Sequence, residues 1–463
     1  RASVRLRSCA LACLRRPRRG LRGRRGMRML EQQAPGARGP GPRSASLPPQ
    51  EAPRPALRGS SAATYALFLV FGWGGWLTVN GIFTELPLLV AVLPEGWRLA
   101  SVINMAVQLA NVGPLAFYLL RASLLRRGGH DGSLARRATY LVLLVGGAGG
   151  MLTLAACWSL TARVFGATRS VALLLLTFVA ALADCTSSVL FWRFVSSFRS
   201  VHISALSAGE GLSGVLASGL AWVQGASQEQ PRFSASVYFL VLAALMCASA
   251  AAFYLLLTTR LVDSQRIVDR PEERPGSEEA SRSLHPASDR PGAKAAGLVG
   301  LLAQLAWLNA MQNGVMVSCL SLAAKPYGRS TLQVAQTASL FVDPLSAAAG
   351  FRVPVGARGL FAINVVVTAL SAYTLATSLD SVAPPLLESG GGDLLVCLTL
   401  VHRALTAYSK MRANVLLRGE GHPSAEAQSR MVLAGVATQS GAFLGAGTMF
   451  VLINFTAAFR SAG

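Results

Sequence analysis

Two hydrogen-bonding residues, Asn80 and Glu85, stand five apart in the stretch Trp73-Gly74-Gly75-Trp76-Leu77-Thr78-Val79-Asn80-Gly81-Ile82-Phe83-Thr84-Glu85-Leu86-Pro87, within an apolar run that starts near Ala62. An amide offers a donor and an acceptor side by side, whereas a carboxylate only accepts. Hydrocarbon pairs with neither, and a carboxylate at the centre of a membrane helix costs about 2.5–3.5 kcal/mol on insertion scales. Such groups belong against protein or a water-filled cavity, so this stretch is expected to line a solute pathway. Trp76 adds a ring that can stack on a flat solute.

Other apolar runs carry polar groups at helical spacing. Asn104, Gln108 and Asn111 share one helix face, as do Asn309, Gln312 and Asn313, and likewise Gln336 and Asp343. Asp184 is followed by Ser187 and Ser188, and Glu210 lies beside the small residues Ser207, Gly211, Gly214 and Ser218. Taken singly, each group could simply bond one helix to the next. Stripes on four runs together favour a shared cavity. Asp184 and Glu210 are candidates for gating or helix bonding rather than for solute contact.

The elements that must position these residues are membrane spans. Charged residues make up 14% of the 463-residue chain and hydrophobic ones 52%, against about 25% and 45–50% in soluble proteins. The sequence predicts an all-α polytopic membrane protein with about eleven transmembrane helices. They fall near residues 62–91, 100–120, 138–160, 170–192, 203–224, 235–258, 296–323, 331–351, 358–379, 393–414 and 430–456. The eighth and tenth have the weakest apolar signal, because one contains Asp343 and Pro344 and the other His402 and Arg403.

Four segments follow from composition: a disordered Arg/Pro-rich tail over 1–60, six spans over 61–258, a disordered cytoplasmic linker over 259–295 and five spans over 296–463. The chain starts with Arg1, so Met27 or Met29 offers a start that would make the preceding residues a leader. The net charge of +22 lies mostly in the tail and in short connections such as Arg121, Arg126, Arg127, Arg136, Arg137, Arg193 and Arg199. That asymmetry places the N-terminus in the cytoplasm and, after an odd number of spans, the C-terminus outside. It also argues against a nucleic-acid-binding face. Asn80-Gly81 followed by Pro94-Glu95-Gly96 is echoed by Asn313-Gly314 followed by Pro326-Tyr327-Gly328, a hint of two parallel repeats with the solute site between them.

Enzyme chemistry finds no footing. Gly146-Gly147-Ala148-Gly149-Gly150 lacks dinucleotide-binding spacing, and Gly209-Glu210-Gly211-Leu212-Ser213-Gly214 has no strand before it. His202 and His422 are expected in loops and His402 in a span, none with a second ligand at metal spacing. The seven cysteines form no disulfide framework. No catalytic residue, metal or cofactor is expected. The sequon Asn454-Phe455-Thr456 lies against the membrane.

Val79-Asn80-Gly81-Ile82-Phe83-Thr84-Glu85-Leu86-Pro87, closed by Leu93-Pro94-Glu95-Gly96-Trp97, resembles the first span and outer loop of the vertebrate-type riboflavin transporters, solute carrier family 52. Ala183-Asp184-Cys185-Thr186-Ser187-Ser188-Val189, Gly209-Glu210-Gly211-Leu212-Ser213-Gly214, Asn313-Gly314-Val315 and Pro326-Tyr327-Gly328 continue the likeness in order. Leu190-Phe191-Trp192-Arg193-Phe194, residues 317–325 and most of the tenth span depart from it. The resemblance implies an eleven-span facilitative carrier of the plasma membrane, in a 6+5 arrangement similar to the equilibrative nucleoside transporters and the major facilitators, that takes up riboflavin. Riboflavin is then the transported substrate and the lipid bilayer the surroundings. The residues chosen for the solute are Asn80, Glu85 and Asn313, then Trp76, Asn309, Gln312 and Gln336. A carrier of another neutral heterocycle, such as a nucleoside, and a non-transporting receptor are the alternatives.

Overall fold

A computed structural model describes residues 55–259 apart from 129–130 and 165, then 262, 265, 291–379, 386 and 389–462 apart from 419–424. The first span is broken into α1 (Pro55–Trp73), α2 (Leu77–Thr84) and α3 (Leu86–Val92). A 3₁₀ turn at Gly96–Arg98 leads into α4 (Leu99–Leu109) and α5 (Val112–Arg126). The third span joins α6 (Asp131–Tyr140), a π-helical segment (Leu141–Gly149) and α7 (Gly150–Cys157). A short antiparallel hairpin, β1 (Ala162–Val164) with β2 (Ala167–Arg169), precedes α8 (Val171–Val195), α9 (Ser200–Gln224) and α10 (Ala235–Thr258).

The second part starts with α11 (Pro291–Asn309), a π-helical segment (Ala310–Met316) and α12 (Val317–Ala324). It continues through α13 (Arg329–Arg352), α14 (Ala357–Leu379), α15 (Gly391–Arg418) and α16 (Ala425–Phe455). Every span expected from the sequence thus falls on helix. Among the described residues, six helices are long and apolar enough to cross a membrane, or seven if the bent pair Ser61–Trp73 and Leu77–Thr84 is one span. The eighth and tenth expected spans, which carry charges, are not among them. Helix α13 carries Asp343 and α15 carries Arg403, and these two helices pack on each other. Arg403 grips Asp343 with both arms of its guanidinium, Nε lying 2.6 Å from Oδ1. Two charges that weaken their own spans are paired across the helices that bear them.

Some boundaries differ from expectation. Helix α1 begins at Pro55 and α11 at Pro291, inside the stretches read as tail and linker, and proline suits both starts because its missing N–H has no intrahelical use there. Val262 is buried, and the Gln265 carbonyl accepts from the Arg199 amide, so these two linker residues pack on the bundle. The rest of the tail and of the linker lies outside the described residues, as does His422. His202 is not in a loop. It is buried in the first turn of α9, stacked on Phe68 with ring centroids 5.4 Å apart.

Close helix crossings give the two parts a common plan. Helix α1 meets α9 where Gly72 faces the Leu206 carbonyl and Gly209, and Gly209 in turn faces the Leu69 carbonyl. In the second part Gly441 of α16 faces the Ala306 carbonyl, Gly445 faces that of Ala310, and Gly314 faces Gly445. The first span therefore crosses the fifth as the seventh crosses the eleventh, backbone against backbone, which only residues without a bulky side chain permit. That is the packing counterpart of the Asn80-Gly81 and Asn313-Gly314 echo.

At such a crossing any larger residue forces the helices apart, with a typical overpacking cost of about 1–3 kcal/mol. Gly209→Val is expected to lower the thermal midpoint of the detergent-purified protein, whereas Gly219→Ala, which adds a methyl into open space, leaves it unchanged. Equal midpoints for the two variants would remove this account of the crossing.

Candidate functional site

The first span breaks where its sequence is poorest in helix formers. Gly72, Gly74 and Gly75 lie within four residues, and the segments on either side differ in direction by 51°. A break in mid-span exposes backbone groups that a continuous helix would have paired. Three side chains from neighbouring spans take them up. Asp184 of α8 accepts from the Val79 amide at 2.9 Å, in the first turn of α2. Ser187, one turn further along α8, donates to the Gly75 carbonyl at 3.0 Å, and Ser249 of α10 donates to the Phe71 carbonyl at 2.8 Å. All three residues are fully buried. The Asp184-Ser187 spacing noted in the sequence is thus a cap for another helix, and the carboxylate lies at the positive end of α2.

Asn80 sits just past this break, half-buried, and donates to the Ser213 hydroxyl at 3.2 Å. Ser213 belongs to α9, the helix that carries Glu210. The Glu210 side chain packs against Gly75, with the Trp192 indole beside its carboxylate. Trp76 is half-buried at the junction itself. Glu85 lies a full turn beyond Asn80, at the joint of α2 and α3, and is completely buried. Its Oε1 accepts from Gln224 at 2.9 Å, and Gln224 also donates to the Phe233 carbonyl. Beside it Thr84 and Tyr238 share a 2.6 Å hydrogen bond, and Tyr238 reaches the Ala217 carbonyl.

In the second part the π-helical turn does what the break does in the first. Asn313 and Gln312 lie within it, and Asn309 immediately precedes it. Asn309 is buried, donating to the Leu305 carbonyl at 2.8 Å and accepting from Asn313 at 3.3 Å. The Asn313 carbonyl, inside the irregular turn, accepts from Asn104 of α4 at 2.5 Å, and Asn104 also donates to Ser318. Two of the sequence stripes, on the second and seventh spans, therefore meet directly. Gln336 is half-buried on α13. Among the described residues, buried Oε1 atoms of Gln312, Gln336 and Glu210, Oδ1 of Asp184, Oε2 of Glu85 and Nε1 of Trp73 have no hydrogen-bond partner within the protein.

The two parts are tied together at one end. Ser321 donates to the Trp97 carbonyl, Arg98 to that of Phe459, and Asn454 to the Ser101 hydroxyl. Opposite them, Trp222 donates to Thr337 at 2.7 Å, and Gln333 bridges the Ala221 carbonyl and the Ser227 amide. Glu95 braces the same end within the first part, its two oxygens accepting from the Ser170 amide and hydroxyl at 2.8 and 2.6 Å, at the start of α8. Gly96 follows with φ +54°, a turn conformation that explains the glycine after Glu95. Sequence reasoning quoted Trp73 and Ser213 only within motifs and missed Ser249, Gln224 and Gln333. Ser213 and Gln333 carried a signal, each three residues from a singled-out polar group, Glu210 and Gln336; Ser249 and Gln224 are single polar residues whose neighbours come from distant spans.

Residues 60–461 match the family model described as solute carrier family 52, riboflavin transporter. The chain belongs to that family. Riboflavin transporter 2 of Salmo salar is 31% identical over 456 residues, covering 86% of this chain and 97% of the relative. Riboflavin transporter member 2 of the same solute carrier family from Homo sapiens is 34% identical over 431 residues, covering 84% and 93%. Among solved structures, a D-xylose-proton symporter superposes with a TM-score of 0.55 at 14% identity, over 86% of this chain and 90% of that one. At that identity the likeness is one of fold: a major-facilitator-like helical bundle. The chain is a multi-pass membrane protein of a transporter family, not an enzyme.

Removing the Asp184 acceptor leaves the Val79 amide buried and unpaired, at a typical cost of about 1–3 kcal/mol. Asp184→Ala is expected to lower the thermal midpoint in detergent clearly, and Asp184→Asn, whose amide oxygen still accepts, to lower it less. If the two variants melt together with the parent, the cap is not what holds the break.

Proposed function

We propose that this chain carries riboflavin across the plasma membrane by alternating access, the two parts rocking about a site between the broken first span and the π-helical turn of the seventh. The supporting observation is the pairing of irregularities: each part presents a side-chain amide, Asn80 or Asn313, at the point where its own helix is interrupted. Riboflavin is neutral, with a flat apolar ring system, an imide edge that both donates and accepts, and a hydroxylated chain. The imide matches an amide side chain, the ring suits Trp76, and the unpartnered oxygens of Gln312 and Gln336 can accept from hydroxyls. A site with few placed polar groups in apolar surroundings fits such a ligand.

In this reading Asn80, Asn313, Trp76, Gln312 and Gln336 contact the solute. Asn309 orients Asn313, and Glu85 shapes the closed end through Gln224. Charge bias puts the N-terminus in the cytoplasm, so the end tied by Trp97, Trp222 and Phe459 faces outward and the opposite end opens to the cytosol. The eleven crossings and the 6+5 division belong to the same proposal, as does movement of the flavin down its own gradient.

Uptake of labelled riboflavin by cells expressing the chain is the direct test, and uptake at background overturns the assignment. Asn80→Ala and Asn313→Ala each remove one hydrogen-bonding group, worth about 0.5–1.5 kcal/mol, and should raise the apparent KM about two- to tenfold. Flavin analogues should compete and nucleosides should not. Strict dependence of vesicle uptake on a proton or sodium gradient would replace simple facilitation with coupled transport.

A further inference from the structure

A cavity of about 330 Å³ lies away from the proposed solute site, at the opposite end of the first part from Trp97 and Trp222. Its lining comes from α6, α8 and α10: Arg136 and Thr139, then Leu190, Arg193 and Phe194, then Phe253 and Leu257. The cavity is divided in character. Leu190 and Phe253 form a buried apolar floor, while Arg136 is exposed and Arg193 half-buried at the rim. Its depth is set by three apolar spans that terminate there, Asp131–Cys157 at its start and Val171–Val195 and Ala235–Thr258 at their ends. Where several apolar spans end together, a bilayer has its headgroup layer.

The charge is unbalanced. Asp131 accepts both arms of Arg121 at 2.9 Å and also pairs with Arg193. Among the described residues that leaves one carboxylate against the guanidinium groups of Arg121, Arg193 and Arg136. A solvated basic loop would spread its charges over an open surface. Here Arg193 is held over an apolar floor by its ion pair and Arg136 stands across the same opening, an arrangement that presents guanidinium donors to a phosphate and a hydrophobic wall to whatever the phosphate is attached to.

We propose that this cavity binds a phosphate-bearing anion, and that its carrier is an anionic phospholipid of the leaflet in which the Arg136 end lies. The phosphate sits between Arg136 and Arg193, and the glycerol and first acyl carbons lie on Leu190, Phe194 and Phe253. Basic pockets between transmembrane helices at the headgroup level recognise lipids in this way. The site touches none of the residues proposed for riboflavin. Its assignment to the cytoplasmic leaflet rests on the orientation proposed above, whereas binding itself does not.

The test uses the full chain in detergent, with bound ligand counted by native mass spectrometry. The probes are dioctanoyl phosphatidic acid, dioctanoyl phosphatidylcholine and glycerol 3-phosphate. One copy of the phosphatidic acid is expected to bind, in preference to the zwitterionic lipid. Each arginine near the surface contributes roughly 1 kcal/mol to such binding, so Arg136→Gln should weaken it about fivefold. Arg193→Gln should add a similar loss, and Arg163→Gln, in the hairpin at the other end, should change nothing. Arg136 makes no ion pair among the described residues, so its variant keeps the test valid if Arg193→Gln unfolds. Glycerol 3-phosphate binding as tightly as the lipid would overturn the lipid carrier in favour of a soluble phosphate. Phosphatidic acid binding that Arg136→Gln leaves unchanged, or no binding of either phosphate, would overturn the site.

Discussion

The structure depends on how a helix broken inside a membrane finds partners for its freed backbone. Three glycines in four residues make the first span break, and hydrocarbon cannot hydrate the exposed groups. Asp184 and Ser187 supply the missing bonds to Val79 and Gly75, and Ser249 adds one to the Phe71 carbonyl, which also accepts from Gly74. These contacts draw the fourth and sixth spans onto the break, while Gly72 and Gly209 bring the fifth span within backbone contact of it. Much of the first part is organised by that single irregularity. Its polar side chains are consequences of it as much as they are candidates for a solute.

The same logic governs the second part with a different device. A π-helical turn over Ala310–Met316 widens the seventh span by local rewinding rather than by a bend. It presents Asn313 and Gln312 while its carbonyl binds Asn104 across the seam. The eighth and tenth spans solve a related problem by pairing Asp343 with Arg403, so that neither charge meets lipid alone. Buried polarity among the described residues includes caps for backbone, a pair of charges, side-chain bonds between helices, and groups with no partner in the protein.

A good deal of this was legible in the chain. The apolar runs predicted helices where helices occur, and the motif around Asn80 and Glu85 pointed to the family to which residues 60–461 belong. The first span was expected as one run over 62–91, and its break at Gly72, Gly74 and Gly75 came from the structure. Asn80 and Asn313 were singled out by their shared Asn-Gly context, and both stand at irregular helix. Other residues read differently once placed. Asp184, Ser187 and Ser188 looked like a stripe, but Asp184 and Ser187 each serve a specific backbone atom. Glu85 looked like a group on the pathway, and it is enclosed with Gln224 and Tyr238.

The sequence by itself determined which segments are apolar enough to enter a membrane, which carry polar groups that lipid cannot satisfy, and where helix continuity is weak. These are properties of short windows, set by composition and by the conformational freedom of glycine and proline. Only the tertiary structure decided which polar group answers which. Val79 and Asp184 are 105 residues apart, and Asn104 and Asn313 are 209 apart. Their meeting depends on which helices pack side by side, a geometry that emerges only when whole helices assemble.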